Sequence, residues 1–259
     1  MRILEEKRAF RQNVRPSVAI ALSRSGTGSH RLAIRADLIG RRLTPILRRT
    51  LNSPLPVWKR GFDIAVSLAA IMVLAPVLLM ISALVAMDGG PVIYSCKRPG
   101  AMKRSFRMFK FRTMKMDGDR ILEAYFAEHP DARAEYNKRF KLRDDPRIAG
   151  AGRFLRRYSL DELPQLFNVL RGDMSIVGPR PRGYNELTQA CLFDGADFDA
   201  YFRVPPGMTG LWQVSGRSDT DYGIRIQLDA EYVRTIALKR DVAIVLRTIP
   251  ALLSGRGAY

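Results

Sequence analysis

The chain has 259 residues, enough for one sizeable core with extensions, and 47% of them are hydrophobic, which excludes a disordered protein. Two cysteines, Cys96 and Cys191, exclude a disulfide framework and point to a reducing compartment; two histidines, His30 and His129, exclude a histidine metal centre, so any metal would be a hard cation such as Mg²⁺ on carboxylates and phosphate. The formal net charge of +18 favours phosphate-bearing partners: nucleic acid, anionic lipid or a nucleotide substrate.

Residues 1–56 read as a basic N-terminal extension. Residues 1–60 hold fourteen Lys/Arg against three acids, a net of +11. Ser23 to Ser29 has the Ser/Gly composition of a flexible linker. Arg31 to Leu51 mixes arginines with Leu and Ile, which suits a basic helix on a membrane surface and equally a disordered tail. Its acid-poor character also mimics a transit peptide, with nothing else in the chain to support one.

Residues 57–88 form the second segment. Ile64 to Met87 is a run of 24 residues without a charge. As a helix it reaches about 36 Å, enough to cross a hydrocarbon core. Lys59 and Arg60 precede it, and Lys97, Arg98, Lys103, Arg104 and Arg107 follow. A spanning helix wants positive charge on one flank only. Both flanks are positive here, and Pro76 lies near the middle. The expectation is a re-entrant helix, broken at Pro76, that enters and leaves one leaflet. A straight span is the alternative.

Residues 89–259 read as a compact domain. Val92-Ile93-Tyr94 and Phe106 to Arg112, with Pro99-Gly100 between them, predict a β-hairpin. Residues 117–143 read as a charged helix broken near Pro130, and residues 204–217 as a Gly/Pro-rich loop. Residues 226–254 read as one or two helices that either lie flat on a membrane or pack on the domain. The fold class is mostly α with a small β-hairpin.

In this basic chain, Ser159-Leu160-Asp161-Glu162-Leu163-Pro164-Gln165 sets two adjacent carboxylates among arginines. Ser159 with Glu162 has capping-box spacing, and Leu163, Leu166, Phe167 and Leu170 follow at helical intervals. Pro164 falls where a regular first turn is awkward, which can turn Asp161 outward. A helix start and a catalytic pair are compatible, because a helix N-terminus favours an ionised acid.

Together the motifs resemble the bacterial sugar transferase family, the monotopic polyprenyl-phosphate phosphoglycosyl transferases. The matching residues run from Lys59-Arg60-Gly61-Phe62-Asp63 through Lys110-Phe111-Arg112-Thr113-Met114, Asp145-Pro146-Arg147, Gly152-Arg153-Phe154-Leu155-Arg156 and the Asp161-Glu162 stretch. They continue through Asn168 to Pro181 and Pro206 to Arg217. The resemblance implies an enzyme that moves a hexose 1-phosphate from a UDP-sugar to polyprenyl (undecaprenyl) phosphate, releasing UMP. That is the initiating step of an exopolysaccharide or other surface glycan, at the cytoplasmic face of a bacterial inner membrane. It implies Asp161 as nucleophile, a sugar-phosphoryl aspartate, and Glu162 helping to hold Mg²⁺ with Asp161 or assisting proton transfer. Lys110, Arg112, Arg156, Arg180 and Arg217 fit diphosphate contacts, guanidinium matching phosphate as a fork. Membrane lipid is an expected partner, nucleic acid is not, and self-association stays open. The rival reading is a basic membrane-tethered scaffold or nucleic-acid binder without catalysis. The chain departs from the family pattern at Ala75 before Pro76, at Cys96, and at Arg182-Gly183, where apolar or proline residues are usual.

Overall fold

A helix of 30 residues, α1 (Val57–Ala86), opens the computed structural model, which describes residues 54–139, 142, 144–148, 150–184, 186–187, 199–215 and 222–253. Residues 1–53, Cys191 and Arg217 lie outside these, and with them most of the N-terminal extension and one expected site residue. The break expected at Pro76 is not an interruption: α1 is continuous across it. A proline removes one ladder hydrogen bond, and the Ala- and Leu-rich residues on both sides are strong helix formers.

One face of α1 is buried or half-buried along its whole length, through Lys59, Asp63, Ser67, Ala70, Leu74, Leu78, Ile81 and Val85. That spacing is the helical repeat of a helix laid against a body. The other faces expose Leu68, Met72, Val73, Leu79 and Met80. By length and composition α1 could cross a membrane.

The expected hairpin follows. Strand β1 (Ile93–Pro99) pairs antiparallel with β2 (Ser105–Phe111), with Cys96 opposite Met108 and Lys97 opposite Arg107. The charged stretch forms α2 (Gly118–Glu128) and α3 (Pro130–Arg139), with proline at the first helical position where it costs no hydrogen bond. Leu122, Phe126 and Leu142 give this excursion a small core of its own. The chain continues through α4 (Gly152–Arg157), a one-turn 3-10 helix (Leu160–Glu162) and α5 (Gln165–Arg171), which ends at Gly172 in the left-handed region at φ 81°.

Strand β3 (Ser175–Val177) then pairs in parallel with β4 (Gly207–Thr209). Gly178 and Gly207 allow this approach, for a Cβ built on Gly207 would lie 2.1 Å from the Gly178 nitrogen. Last come α6 (Leu211–Val214), α7 (Tyr222–Arg234) and α8 (Leu238–Leu253). Of the two expectations for the C-terminal pair, packing on the domain is what α8 shows, and it also leaves one apolar face open. Asp241 and Ile244 of α8 are buried against the domain, while Leu238, Val242, Leu246 and Ile249 form an exposed apolar stripe.

The main core joins Met108, Leu166, Val169, Met174, Val177, Tyr232 and Ile244, with Phe62 and Val66 from the start of α1 packed on it. A second cluster joins Ile81 and Val85, from the end of α1, to Phe111 and Leu155. Both ends of α1 therefore rest on one body. Polar contacts pin its first turns. Lys59 Nζ lies 2.7 Å from Asp241 Oδ2, and Tyr232 Oη donates to Asp241 Oδ1 at 2.7 Å. Asp63 Oδ1 accepts from Ser175 Oγ and from the Ile176 N–H, each at 3.0 Å. The Arg60 guanidinium donates to the Val169 and Leu170 carbonyls at 2.5 and 2.7 Å. It thereby reaches two carbonyls of the last turn of α5, of which Val169 O also accepts the Gly172 N–H at 2.9 Å.

Candidate active site

The acidic pair is not built as a capping box. Ser159 takes the left-handed conformation at φ 55° and its side chain makes no cap hydrogen bond. The chain instead closes the 3-10 turn, with Glu162 N–H donating to Ser159 O and Leu163 N–H to Leu160 O. Pro164 explains the difference, since its ring would strike the Leu160 carbonyl in a regular helix begun at Leu160. Helix α5 starts just after it. The irregular first turn is as expected, but Asp161 does not turn outward: it is 7% exposed.

Lys110 meets the pair there. Its Nζ is 2.7 Å from Glu162 Oε1 and 3.6 Å from Asp161 Oδ2. The contact depends on β2 lying against α5, and Asn168 holds them together. Its Oδ1 accepts the Phe109 N–H at 2.9 Å, and its Nδ2 donates to Arg107 O at 2.7 Å. This fully buried amide supplies to β2 what a neighbouring strand would supply. Burial pushes the Asp161 carboxyl up, and nearby Glu162 pushes the same way; Lys110 and Arg156 hold it down. Burial wins, so the carboxyl sits above the usual carboxylate range, with two cations opposing the rise.

The expected site residues therefore fall into groups. Lys110 and Arg156 attend Asp161. Arg180 lies on a second cluster, its guanidinium carbon 5.7 Å from the centre of the Trp212 ring, with Arg225 at 5.1 Å from the same ring. Arg112 does not join either group. It donates from Nε to Pro91 O at 2.9 Å and from Nη2 to Val85 O at 3.0 Å, fastening the end of α1. Its cationic fork caps a helix carbonyl, a use that composition cannot distinguish from phosphate binding.

Three contacts carry no signal in local sequence pattern: Asn168 with Arg107, Trp212 with Arg225, and a buried Arg182–Asp229 pair at 2.6 Å. Asn168 and Trp212 stand inside the family motifs and Arg182 is marked by its departure from them, but no motif gives their partners.

For a divalent cation the donor set is small. Among the described residues no cluster of three or more His, Cys, Asp or Glu exists. Asp161 and Glu162 alone fit Mg²⁺ of the kind that keeps several waters and shares phosphate oxygens with its substrate.

A family model described as bacterial sugar transferase matches residues 55–255. The chain is 48% identical over 201 residues to a Salmonella typhimurium protein named undecaprenyl-phosphate galactose phosphotransferase, covering 78% of this chain and 41% of that protein. It is 46% identical over 202 residues to the exopolysaccharide production protein ExoY of Sinorhizobium fredii, covering 78% and 88%. It is 35% identical over 231 residues to a Caulobacter vibrioides protein named UDP-glucose:undecaprenyl-phosphate glucose-1-phosphate transferase, covering 83% and 79%. The chain thus spans well under half of the Salmonella relative and most of the other two. The match takes in the apolar helix, the Asp161-Glu162 turn and both basic clusters, and the chain belongs to the bacterial sugar transferase family.

Proposed function

We propose that this protein transfers a hexose 1-phosphate from a UDP-sugar to a polyprenyl phosphate through a covalent intermediate on Asp161. One observation carries the reading: a buried Asp161 carboxylate, flanked by Glu162 and by the Lys110 ammonium, in a domain packed along a helix apolar enough for a membrane. The names of the relatives support the substrate class and a role in exopolysaccharide synthesis.

The chemistry divides into two displacements. Asp161 attacks the phosphorus that bears the sugar; a P–O bond forms, the bond to the UMP phosphate oxygen breaks, and UMP leaves. An oxygen of the polyprenyl phosphate then attacks the same phosphorus, the aspartyl P–O bond breaks, and Asp161 returns as a carboxylate. Lys110 favours the ionised form of Asp161 before attack, and Arg156 adds to the field. The buried, partly dehydrated carboxylate limits attack by water on the intermediate. Asp161 and Glu162 are the residues that would hold Mg²⁺, whose contribution would be to neutralise charge on the transferring group.

The position of α1 supports work at one membrane face. Its first turns are tied to α5 and α8 and its last turn to Arg112, all in one domain, while its free faces are apolar. We read it as a monotopic helix that dips into the cytoplasmic leaflet, with α8 resting at the interface. Cysteines placed singly at Val57 and Met87, in a background lacking Cys96 and Cys191, are expected to be labelled from the cytoplasmic side. Labelling from opposite sides would end the monotopic reading.

The decisive experiment uses purified full-length protein and labelled UDP-hexoses. We expect exchange of labelled UMP into the donor without lipid, and sugar phosphate trapped on Asp161. Full turnover with neither would favour direct transfer. An Asp161→Asn variant that retains function would favour a non-catalytic scaffold.

A further inference from the structure

Arg182 follows directly on the Pro179-Arg180-Pro181 turn, and the structure gives its charge an unusual place. Arg182 is 3% exposed, and its Nη2 donates to Asp229 Oδ2 of α7 at 2.6 Å; Asp229 is itself 1% exposed. Tyr201 completes the arrangement. Its hydroxyl donates to Arg180 O at 2.7 Å and accepts the Arg182 N–H at 3.0 Å, and its ring centre lies 5.7 Å from the Arg182 guanidinium carbon. One hydroxyl thus holds the backbone on both sides of Pro181. The Gly207 N–H holds Pro179 O at 2.8 Å. Pro179 and Pro181 fix their own φ angles. Between them Arg180 keeps one freedom, its side chain, which is half-buried beside Trp212.

Stability does not explain why a chain would bury such a pair. Removing two charges from water costs about as much as their attraction returns, and apolar residues of equal volume do as well or better. Burial pushes the Asp229 carboxyl up to about 7 even with Arg182 and Arg180 holding it down, which shows how strongly the site resists charge. What the pair does supply is direction: a guanidinium on a fixed carboxylate sets the path of the turn that carries Arg180.

We propose that Arg182, Asp229 and Tyr201 are positioning residues that fix the Pro179-Arg180-Pro181 turn, so that Arg180 meets the diphosphate of the nucleotide sugar already oriented. This rests on the reading of the protein as a nucleotide-sugar enzyme given above. The benefit appears in donor binding, because a preset arginine loses less freedom when the diphosphate arrives. Acceptor binding has no reason to change.

The test uses full-length protein in detergent, a UDP-hexose that it turns over, and polyprenyl phosphate. Asp229→Asn is expected to raise KM for the nucleotide sugar about tenfold, while KM for polyprenyl phosphate stays within about twofold. The double variant Arg182→Leu/Asp229→Leu is expected to recover the thermal midpoint lost by either single leucine variant, yet to keep the raised donor KM. The wild-type donor KM is expected to rise as pH falls below about 7, where Asp229 takes up a proton, and the rise is absent in Asp229→Asn. The charged and titratable groups around Asp229 are Arg182, Arg180 and Tyr201, with Glu186 acting on Tyr201 and Arg225 one turn earlier on α7. A folded Asp229→Asn variant with wild-type donor KM overturns the proposal. So does a double variant whose donor KM recovers along with its midpoint, since the pair would then serve the fold alone. An Arg180→Ala variant with unchanged donor KM overturns it as well. Wild-type protein that turns over no nucleotide sugar sinks the functional reading itself, a result distinct from turnover with an unmoved KM.

Discussion

Lys110→Met tests the central electrostatic claim. The substitution keeps the length of the side chain and deletes its charge. At 3.6 Å, the Lys110–Asp161 separation, two unit charges interact by about 4–5 kcal/mol at an effective dielectric near 20. Water reaches both side chains in part, 23% for Lys110 and 10% for Asp161, so we take about half, roughly 2 kcal/mol. That is about thirtyfold in rate if it falls on the attacking carboxylate. The sign follows from the direction of the shift. Burial already raises Asp161, and Lys110 is the leading influence that lowers it, so its loss raises Asp161 further. Attack needs the ionised form. The acidic limb of the rate profile should therefore move to higher pH, and raising the pH should restore part of the lost activity. The assay is UMP release at saturating UDP-hexose and polyprenyl phosphate across pH 5.5 to about 9. A uniformly slower variant with an unmoved acidic limb would refute the reasoning, and Lys110 would then be a diphosphate contact only.

Other outcomes follow from the same geometry. Asn168→Leu strands the Phe109 N–H and the Arg107 carbonyl; we expect a loss of about 2–4 kcal/mol in urea unfolding, with reduced turnover because Lys110 drifts from the pair. Lys59→Met leaves Asp241 without its buried cation and should cost about 3–5 kcal/mol, most of which Lys59→Met/Asp241→Leu recovers in thermal denaturation. Burial raises Asp145, but the hydrogen bonds and charge of Arg147, with help from Arg156, leave it below the ordinary carboxylate value. A carboxylate lowered on folding stabilises above its unfolded value and loses that effect as pH falls through the folded one. Asp145→Asn should therefore lower the thermal midpoint at pH 7, with a difference that shrinks below about pH 4.

How much was legible depended on how local the cause was. The 24-residue apolar run, the hairpin around Pro99-Gly100 and the start of α3 at Pro130 each follow from residues close in sequence. The β3–β4 pairing does not, because two strands of three residues give too short a pattern and their partnership spans about thirty residues. The family motifs marked Asp161-Glu162 and Arg180, but a motif does not say where a cation points. Arg112 and Lys110 stand two residues apart on and just after β2. Arg112 fastens the long apolar helix and Lys110 faces the acidic pair.

Composition and motif order alone determined the class of the protein: a basic chain with one long apolar helix, an acidic pair and arginine-bearing Pro/Gly turns in family order. These are properties of residue type and spacing, which survive without coordinates. Only the tertiary structure decided that Ser159 is a left-handed turn rather than a cap, that Asp161 is buried against Lys110, and that Arg182 turns inward to Asp229. The reason is physical. A charged side chain takes its role from whichever partner shares its burial, and that partner can lie 47 residues away, as Asp229 does from Arg182.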